Sequence, residues 1–221
     1  MVSDISLKDI PLRSQLPKGR ATRVRSDREL FAHRTVMGYA GSVAIALVAR
    51  RKQALTADGA AAVVGVGTIT TGFGGYRRAL LLIAFFTTST VLSRIGRERK
   101  QSIADQAEKG NTRDARQVLA NGGVSTAIAM IDSESDGSHP YVGALAAVTA
   151  DTWATEIGGL SGSRPRHILT FRPIATGSSG GVTLLGTLAS VAGGALIGSL
   201  AALTRPLDPT RGAEPAALVA T

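Results

Sequence analysis

GGVTLLGTLASVAGGALIGSLAAL, the stretch Gly180–Leu203, runs for 24 residues without a single charge. Crossing ~30 Å of hydrocarbon takes roughly 20 residues of helix, so this stretch is long enough to span a bilayer. Tyr141–Leu160, before it, reaches the same length but carries Asp151 and Glu156. Four shorter apolar runs precede these two: Thr35–Ala49, Gly59–Phe73, Ala79–Leu92 and Gln117–Ile131. Each is apolar all round, not striped, and basic connectors separate them, which is the pattern of membrane helices and their loops. Gly59–Phe73 and Ala79–Leu92 are separated only by Gly74-Gly75-Tyr76-Arg77-Arg78, so they are expected to form a tight helical hairpin. The expected fold is all-α: a polytopic integral membrane bundle of five or six hydrophobic segments. Residues 1–34 read as a basic, disordered tail with a short helix at Asp27–His33 as the alternative, 35–203 as the transmembrane domain, and 204–221 as a Pro/Ala-rich tail.

The composition fits. Hydrophobic residues make up 44% of the 221-residue chain but aromatics only 4%, and there are 26 glycines. Small residues let helices approach closely in lipid, where packing replaces the hydrophobic drive. The net charge of +9 would suit a nucleic-acid binder. Its distribution between apolar runs, without basic helix faces or interleaved aromatics, excludes that partner. With no cysteine, disulfide, thiolate and thiolate–metal chemistry are excluded. No cleavable signal peptide is expected, because Met1–Arg34 is polar, with eight basic and four acidic residues. The positive-inside rule places Arg94–Arg116 and Ser161–Ser179 in the cytoplasm and the acidic Asp132–Asp136 outside. The first half resists the rule, since Arg50–Lys52 and Arg77–Arg78 flank one run and cannot both be inside if it spans.

Three polar constellations interrupt the apolar pattern. Asp151 and Thr155 are four apart on one helix face, and Thr152 and Glu156 on the next. Carboxylates inside such runs are costly and rare, and with hydroxyls they suit hard-cation or phosphate chemistry. The bland reading places both acids in wet headgroups. Asp114, Gln117 and Asn121 form a stripe at the start of another run, beside Arg113 and Arg116; helix-dipole stabilisation alone would explain Asp114. Thr176-Gly177-Ser178-Ser179-Gly180-Gly181 leads into the last helix and could cradle an anion on its backbone N–H groups, or simply turn the chain. Gly186–Thr187 and Gly194-x-x-x-Gly198 read as packing surface, and Trp153 as an interface anchor.

Taken in order, Thr88-Ser89-Thr90…Gly96…Lys100, Arg113-Asp114…Gln117-Val-Leu-Ala-Asn121-Gly122-Gly123, Ala150-Asp151-Thr152-Trp153-Ala154-Thr155-Glu156-Ile157-Gly158 and Gly177-x-Ser179-Gly180-Gly181-Val182-Thr183…Gly186-Thr187 resemble the transmembrane-protein-nineteen family, which includes the plant phytyl-phosphate kinase. The resemblance covers roughly Ala54–Leu203. It implies a membrane enzyme that phosphorylates an isoprenoid monophosphate with a nucleoside triphosphate, CTP foremost. Under it, Asp151, Glu156 and Asp114 are the expected catalytic and Mg²⁺-binding acids. Arg113 and Arg116 would neutralise phosphate, Gln117, Asn121, Thr152 and Thr155 would position it, and Gly177, Ser179, Gly180 and Gly181 would cradle it. The expected partners are a membrane lipid or prenyl phosphate and a second copy of the chain, and the expected location is the plasma membrane. The resemblance also implies further hydrophobic helices, including a Gly-Ser-Leu-Leu-Asp-like segment, where this chain has Thr204-Arg205-Pro206-Leu207-Asp208-Pro209-Thr210. A transporter subunit, whose acids would line a pathway, and a non-catalytic scaffold are the rival readings.

Overall fold

The computed structural model describes residues 18–95, 112–132 and 139–204. Among the described residues five helices carry the fold: α1 (Lys18–Arg51), α2 (Ala57–Leu92), α3 (Ala115–Ile131), α4 (His139–Gly158) and α5 (Leu184–Leu203). A two-residue antiparallel pair, β1 (Arg166–His167) with β2 (Gly181–Val182), pins the long loop between α4 and α5. The fold is all-α.

The decisive element is α2. Its 36 residues would extend about 54 Å as a straight rod at ~1.5 Å per residue. Yet the Arg94 guanidinium, just past its C-terminus, donates to the Lys52 carbonyl, just before its N-terminus, at 2.8 Å. Arg113 likewise meets both ends: the Thr56 N–H donates to its carbonyl at 3.1 Å, while its guanidinium donates to Thr90 and Ser93. The helix therefore doubles back, as the glycine pair predicts. The reversal sits at Gly75, with φ 71° and ψ −178°, a region essentially closed to residues with a Cβ. The two arms, 57–74 and 76–92, are each roughly 26 Å long, close to the hydrocarbon thickness.

The bundle alternates around this hairpin. At one end, here called the near end, α2, α3 and α5 begin, capped by Thr56, Asp114 and Thr183. α1 and α4 finish there. α1 runs antiparallel to the first arm of α2 through small residues: a Cβ on Gly38 would lie 2.6 Å from the Thr71 Cβ, and one on Gly67 would collide with the Ser42 hydroxyl. α4 and α5 approach in the same way, with Gly158 against Gly186 and Gly193 against the Thr149 carbonyl. The packing register of α5 thus runs through Gly186 and Gly193. Gly198, expected as packing surface, faces open space, and Gly194 only grazes the Ala150 Cβ at 4.0 Å. Ala46, Ala49, Leu55, Ala60, Val66 and Val118 form one core cluster. Leu81, Phe85, Tyr141, Leu145, Ile197 and Ala201 form another, and Leu82 packs against both.

The perimeter is apolar: Leu184 is 75% exposed, Val191 67% and Val36 66%. Among the described helices, α5 is the one long and apolar enough by composition alone to cross a membrane. In the others Ser, Thr and Gly dilute the hydropathy, but many of the hydroxyls are satisfied within the bundle, buried Ser89 Oγ being an exception. Thr68, Thr71, Thr88, Thr90, Thr149 and Thr152 bond carbonyls of their own helices, and buried Thr70 and Thr126 bond each other between helices at 3.1 Å.

The far end explains why the first half defies the positive-inside rule. Arg78, buried to 5% exposure, sits 5.5 Å from the Tyr141 ring centre and donates to the Asp132 carbonyl at 2.8 Å and carboxylate at 3.3 Å. Arg77 donates to the Ala201 carbonyl at 2.8 Å. Both arginines serve the C-terminal carbonyls of neighbouring helices and are not free loop charges. Arg50–Lys52 and Arg77–Arg78 lie at opposite ends of one spanning arm. The first helix also begins earlier than expected: α1 reaches back to Lys18, into the stretch read as a tail. The remaining tail residues 1–17 and 205–221, together with Gly96, Lys100 and the 133–136 connector, lie outside the described residues.

Two outcomes are expected. Gly75→Ala should lower stability in detergent by about 1–3 kcal/mol, while Gly65→Ala, whose Cβ would meet nothing within 4 Å, should leave it unchanged or higher. Thermal unfolding of both variants checks this, and equal midpoints would contradict the fold-back. Single cysteines at Gln53 and Ser163 should label from one side of the membrane and one at His139 from the other, read with an impermeant maleimide on oriented vesicles.

Candidate phosphate site at the near end

The near end is built by the return of α2. α1 closes in a Schellman turn: the Ala54 N–H reaches the Ala49 carbonyl and the Gln53 N–H the Arg50 carbonyl, both at 2.8 Å, with Gln53 at φ 54° where glycine is usual. A parallel bridge then ties Leu55 to Arg113, so α2 and α3 begin side by side with their positive dipole ends together. Cross-capping fixes the pair. Thr56 accepts from the Gly59 N–H at 3.1 Å and donates to Asp58 at 2.5 Å. Asp58 accepts from the Ala115 N–H at 3.0 Å, and Asp114 from the Gln117 N–H at 2.8 Å. Gly59 is obligatory here, because a Cβ would run into the Arg113 carbonyl.

Three separate elements then converge through one hydroxyl. Arg113, ahead of α3, donates to Ser93 Oγ at 3.1 Å and Thr90 Oγ1 at 3.2 Å. Ser93, capping the second arm of α2, donates to Glu156 Oε1 of α4 at 2.5 Å. A cation and a carboxylate are thereby held on either side of a serine. Burial lowers the Arg113 pKa from the ordinary arginine value, and the Glu156 charge acts in the opposite direction. Beside this cluster lies a small open cleft lined by Lys52, Gln53, Ala54, Thr90, Ser93, Arg94 and Arg113.

The sequence-derived residues divide accordingly. Arg113 and Glu156 come together, with Asp114 next to Arg113 as the α3 N-cap. Gln117 and Asn121 are half-buried along the first two turns of α3, and Arg116 is exposed. Thr152 is half-buried and bonds the Val148 carbonyl. Asp151 and Thr155 are exposed on the outer face of α4. Gly177, Ser179, Gly180 and Gly181 are exposed in the β-hairpin loop; Gly177 and Gly180 have positive φ, and the Gly181 N–H is used by the Ser178 carbonyl at 3.3 Å. That loop leads to Thr183, whose hydroxyl caps α5 next to Gly158. Among the described residues no group of three His, Cys, Asp or Glu side chains is placed to hold a metal. Sequence reading missed Lys52, Thr56, Asp58, Ser93 and Arg94. Thr56-x-Asp58 ahead of an apolar run is a recognisable capping signal. Nothing local marks Ser93 or Lys52.

Comparison with known proteins adds the lineage. Protein PGR of Arabidopsis thaliana is 33% identical over 141 residues, covering 56% of this chain and 49% of its own length. The uncharacterized membrane protein MJ0933 of Methanocaldococcus jannaschii is 34% identical over 156 residues, 70% of this chain and 64% of its own. Protein VTE6, chloroplastic, of Arabidopsis thaliana is 23% identical over 167 residues, 72% of this chain and 50% of its own. The chain thus spans about half to two-thirds of the length of the curated relatives it matches. No solved structure matches. A family model, integral membrane protein DUF92, matches residues 40–220, from the middle of α1 through α5 and beyond, and the chain belongs to that family.

Proposed function

We propose that this protein is a membrane phosphotransferase that moves the terminal phosphoryl group of a nucleoside triphosphate, CTP foremost, onto an isoprenoid monophosphate. The observation that carries the reading is the Arg113–Ser93–Glu156 cluster, assembled from three elements at the end where three helix N-termini point. The resemblance to the family of the plant phytyl-phosphate kinase, and the similarity to VTE6, support the same chemistry.

Phosphoryl transfer asks for positioning and charge neutralisation, not a covalent nucleophile. An acceptor monophosphate oxygen attacks the terminal phosphorus, the bridging P–O bond breaks, and the nucleoside diphosphate leaves with the electron pair. Arg113 offers a guanidinium to the phosphoryl oxygens, and Ser93 and Thr90 fix its orientation. Magnesium belongs to this reading as part of the Mg–nucleotide substrate. Such an ion needs only one or two protein carboxylates, and Glu156 is the acid placed beside the cluster. We assign the near end to the cytoplasmic face of the cell membrane, where nucleotide is available.

Purified protein in detergent, given a panel of prenyl monophosphates and nucleoside triphosphates, should form prenyl diphosphates. Glu156→Gln and Arg113→Met should each lower turnover ~10²-fold, whereas Asp151→Asn, on the outer face, should cost at least ten times less. Equal losses for Asp151 and Glu156 would move the site, and absence of any transfer in wild type would end the reading. The geometry also predicts that Ser93 couples its neighbours. A double-mutant cycle between Arg113→Gln and Glu156→Gln should give an interaction energy of about 1 kcal/mol in the native background and close to zero in Ser93→Ala.

A further inference from the structure

We infer that the cleft between the α1–α2 turn and the end of α2 seats the phosphate of an amphiphilic phosphate monoester, its chain lying along the outward face of the second arm of α2. This rests on the phosphotransferase reading above and names where the acceptor binds. Lys52, Arg94 and Arg113 line the cleft with Thr90 and Ser93, and among the described residues no carboxylate shares the lining. Three cations and two hydroxyls in one concavity are a phosphate's complement. Glu156, which is outside the lining, accepts from the Ser93 hydroxyl.

The walls are fixed. Arg94 is anchored by its bond to the Lys52 carbonyl, which also satisfies the C-terminus of α1. Arg113 is anchored by Thr90 and Ser93. Lys52 is exposed at the rim on the turn held by Gln53, whose left-handed backbone is costly for a non-glycine residue.

What separates a lipid headgroup from a soluble phosphate lies below the cleft. Leu80, Ile83, Thr87, Thr90 and Arg94 follow one another at spacings of three and four, so they share one face of the helix. Leu80, Ile83 and Thr87 are exposed. A cationic seat at the membrane surface therefore continues into an apolar track toward the bilayer centre, matching a charged head on a hydrocarbon chain.

The test is equilibrium binding of radiolabelled farnesyl monophosphate to the full chain in nanodiscs, with inorganic phosphate and CTP as competitors. Lys52→Ala and Arg94→Gln should each weaken binding ~10-fold or more, the loss expected for a hydrogen bond to a charged group. Lys52→Ala leaves the backbone carbonyl that Arg94 uses, so a folding defect does not confound it. Ile83→Asn should weaken farnesyl monophosphate and leave inorganic phosphate unaffected. The inference is overturned if wild type does not bind farnesyl monophosphate, or if Lys52→Ala and Arg94→Gln bind it unchanged. It is equally overturned if inorganic phosphate competes at equal concentration, marking a free-phosphate site, or if the two variants lose CTP instead, marking a nucleotide seat. Binding that depends on Lys52 and Arg94 without turnover by any nucleotide would sink the phosphotransferase reading and keep the cleft. Turnover with binding indifferent to both residues would do the reverse.

Discussion

A peptide group left bare in hydrocarbon costs several kcal/mol, so a helical membrane bundle is organised by what happens at its helix ends. Here the C-terminal carbonyls are met by arginines from neighbouring elements. Arg77 takes the end of α5, Arg78 the end of α3, and Arg94 the end of α1. All three lie on α2 or just beyond it, and two follow directly after Gly75. The reversal that only a glycine backbone permits delivers Arg77 and Arg78 to the far end and Arg94 to the near end. A straight α2 would withdraw these arginines from three helix ends, which makes the hairpin the condition for the rest of the bundle.

The same economy builds the candidate site. Arg94 caps α1 and lines the cleft; Ser93 terminates the second arm and bridges Arg113 to Glu156. Thr56, Asp58 and Asp114 satisfy the N-terminal N–H groups of α2 and α3, so these paired dipole ends are already occupied by carboxylates and hydroxyls. The cations of the cleft lie beyond those caps. Close approach through Gly38 and Gly67 draws α1 onto α2, and through Gly158, Gly186 and Gly193 draws α4 onto α5.

What the sequence made legible follows the range of each interaction. The hairpin was readable because Gly74-Gly75 sits between two apolar runs of nearly equal length, and the helix-start position of Asp114 from its place just ahead of an apolar run. The length of α1 was obscured by its charged N-terminal half, which extends beyond the apolar run and so carries no membrane signal. Of the glycines read as the packing face of α5, Gly186 meets Gly158 while Gly198 faces open space, since a glycine-rich helix offers several small faces and only the partner, α4, chooses among them. Lys52, Ser93 and Arg113 are distant in sequence and join only when the hairpin closes, so no local pattern marks them as a group. Arg113 and Glu156 were singled out separately; their connection through Ser93 is a tertiary fact.

The contrast between Asp151 and Glu156 carries this furthest. Both lie on α4, five residues apart, which at ~100° per residue turns them about 140° from each other. One helix therefore cannot present both acids to one ion held against its inner face. Glu156 turns inward to Ser93, one turn from the end of α4, while Asp151 turns outward, deeper in the span. An inward carboxylate near a helix end is stabilised by hydroxyl and guanidinium partners in reach of water. Among the described residues an outward one in mid-span has neither, and such residues are costly unless something else meets them. Sequence spacing records that two acids share a helix; the helical repeat assigns them to different environments, Glu156 against Ser93 and Asp151 on the exposed face.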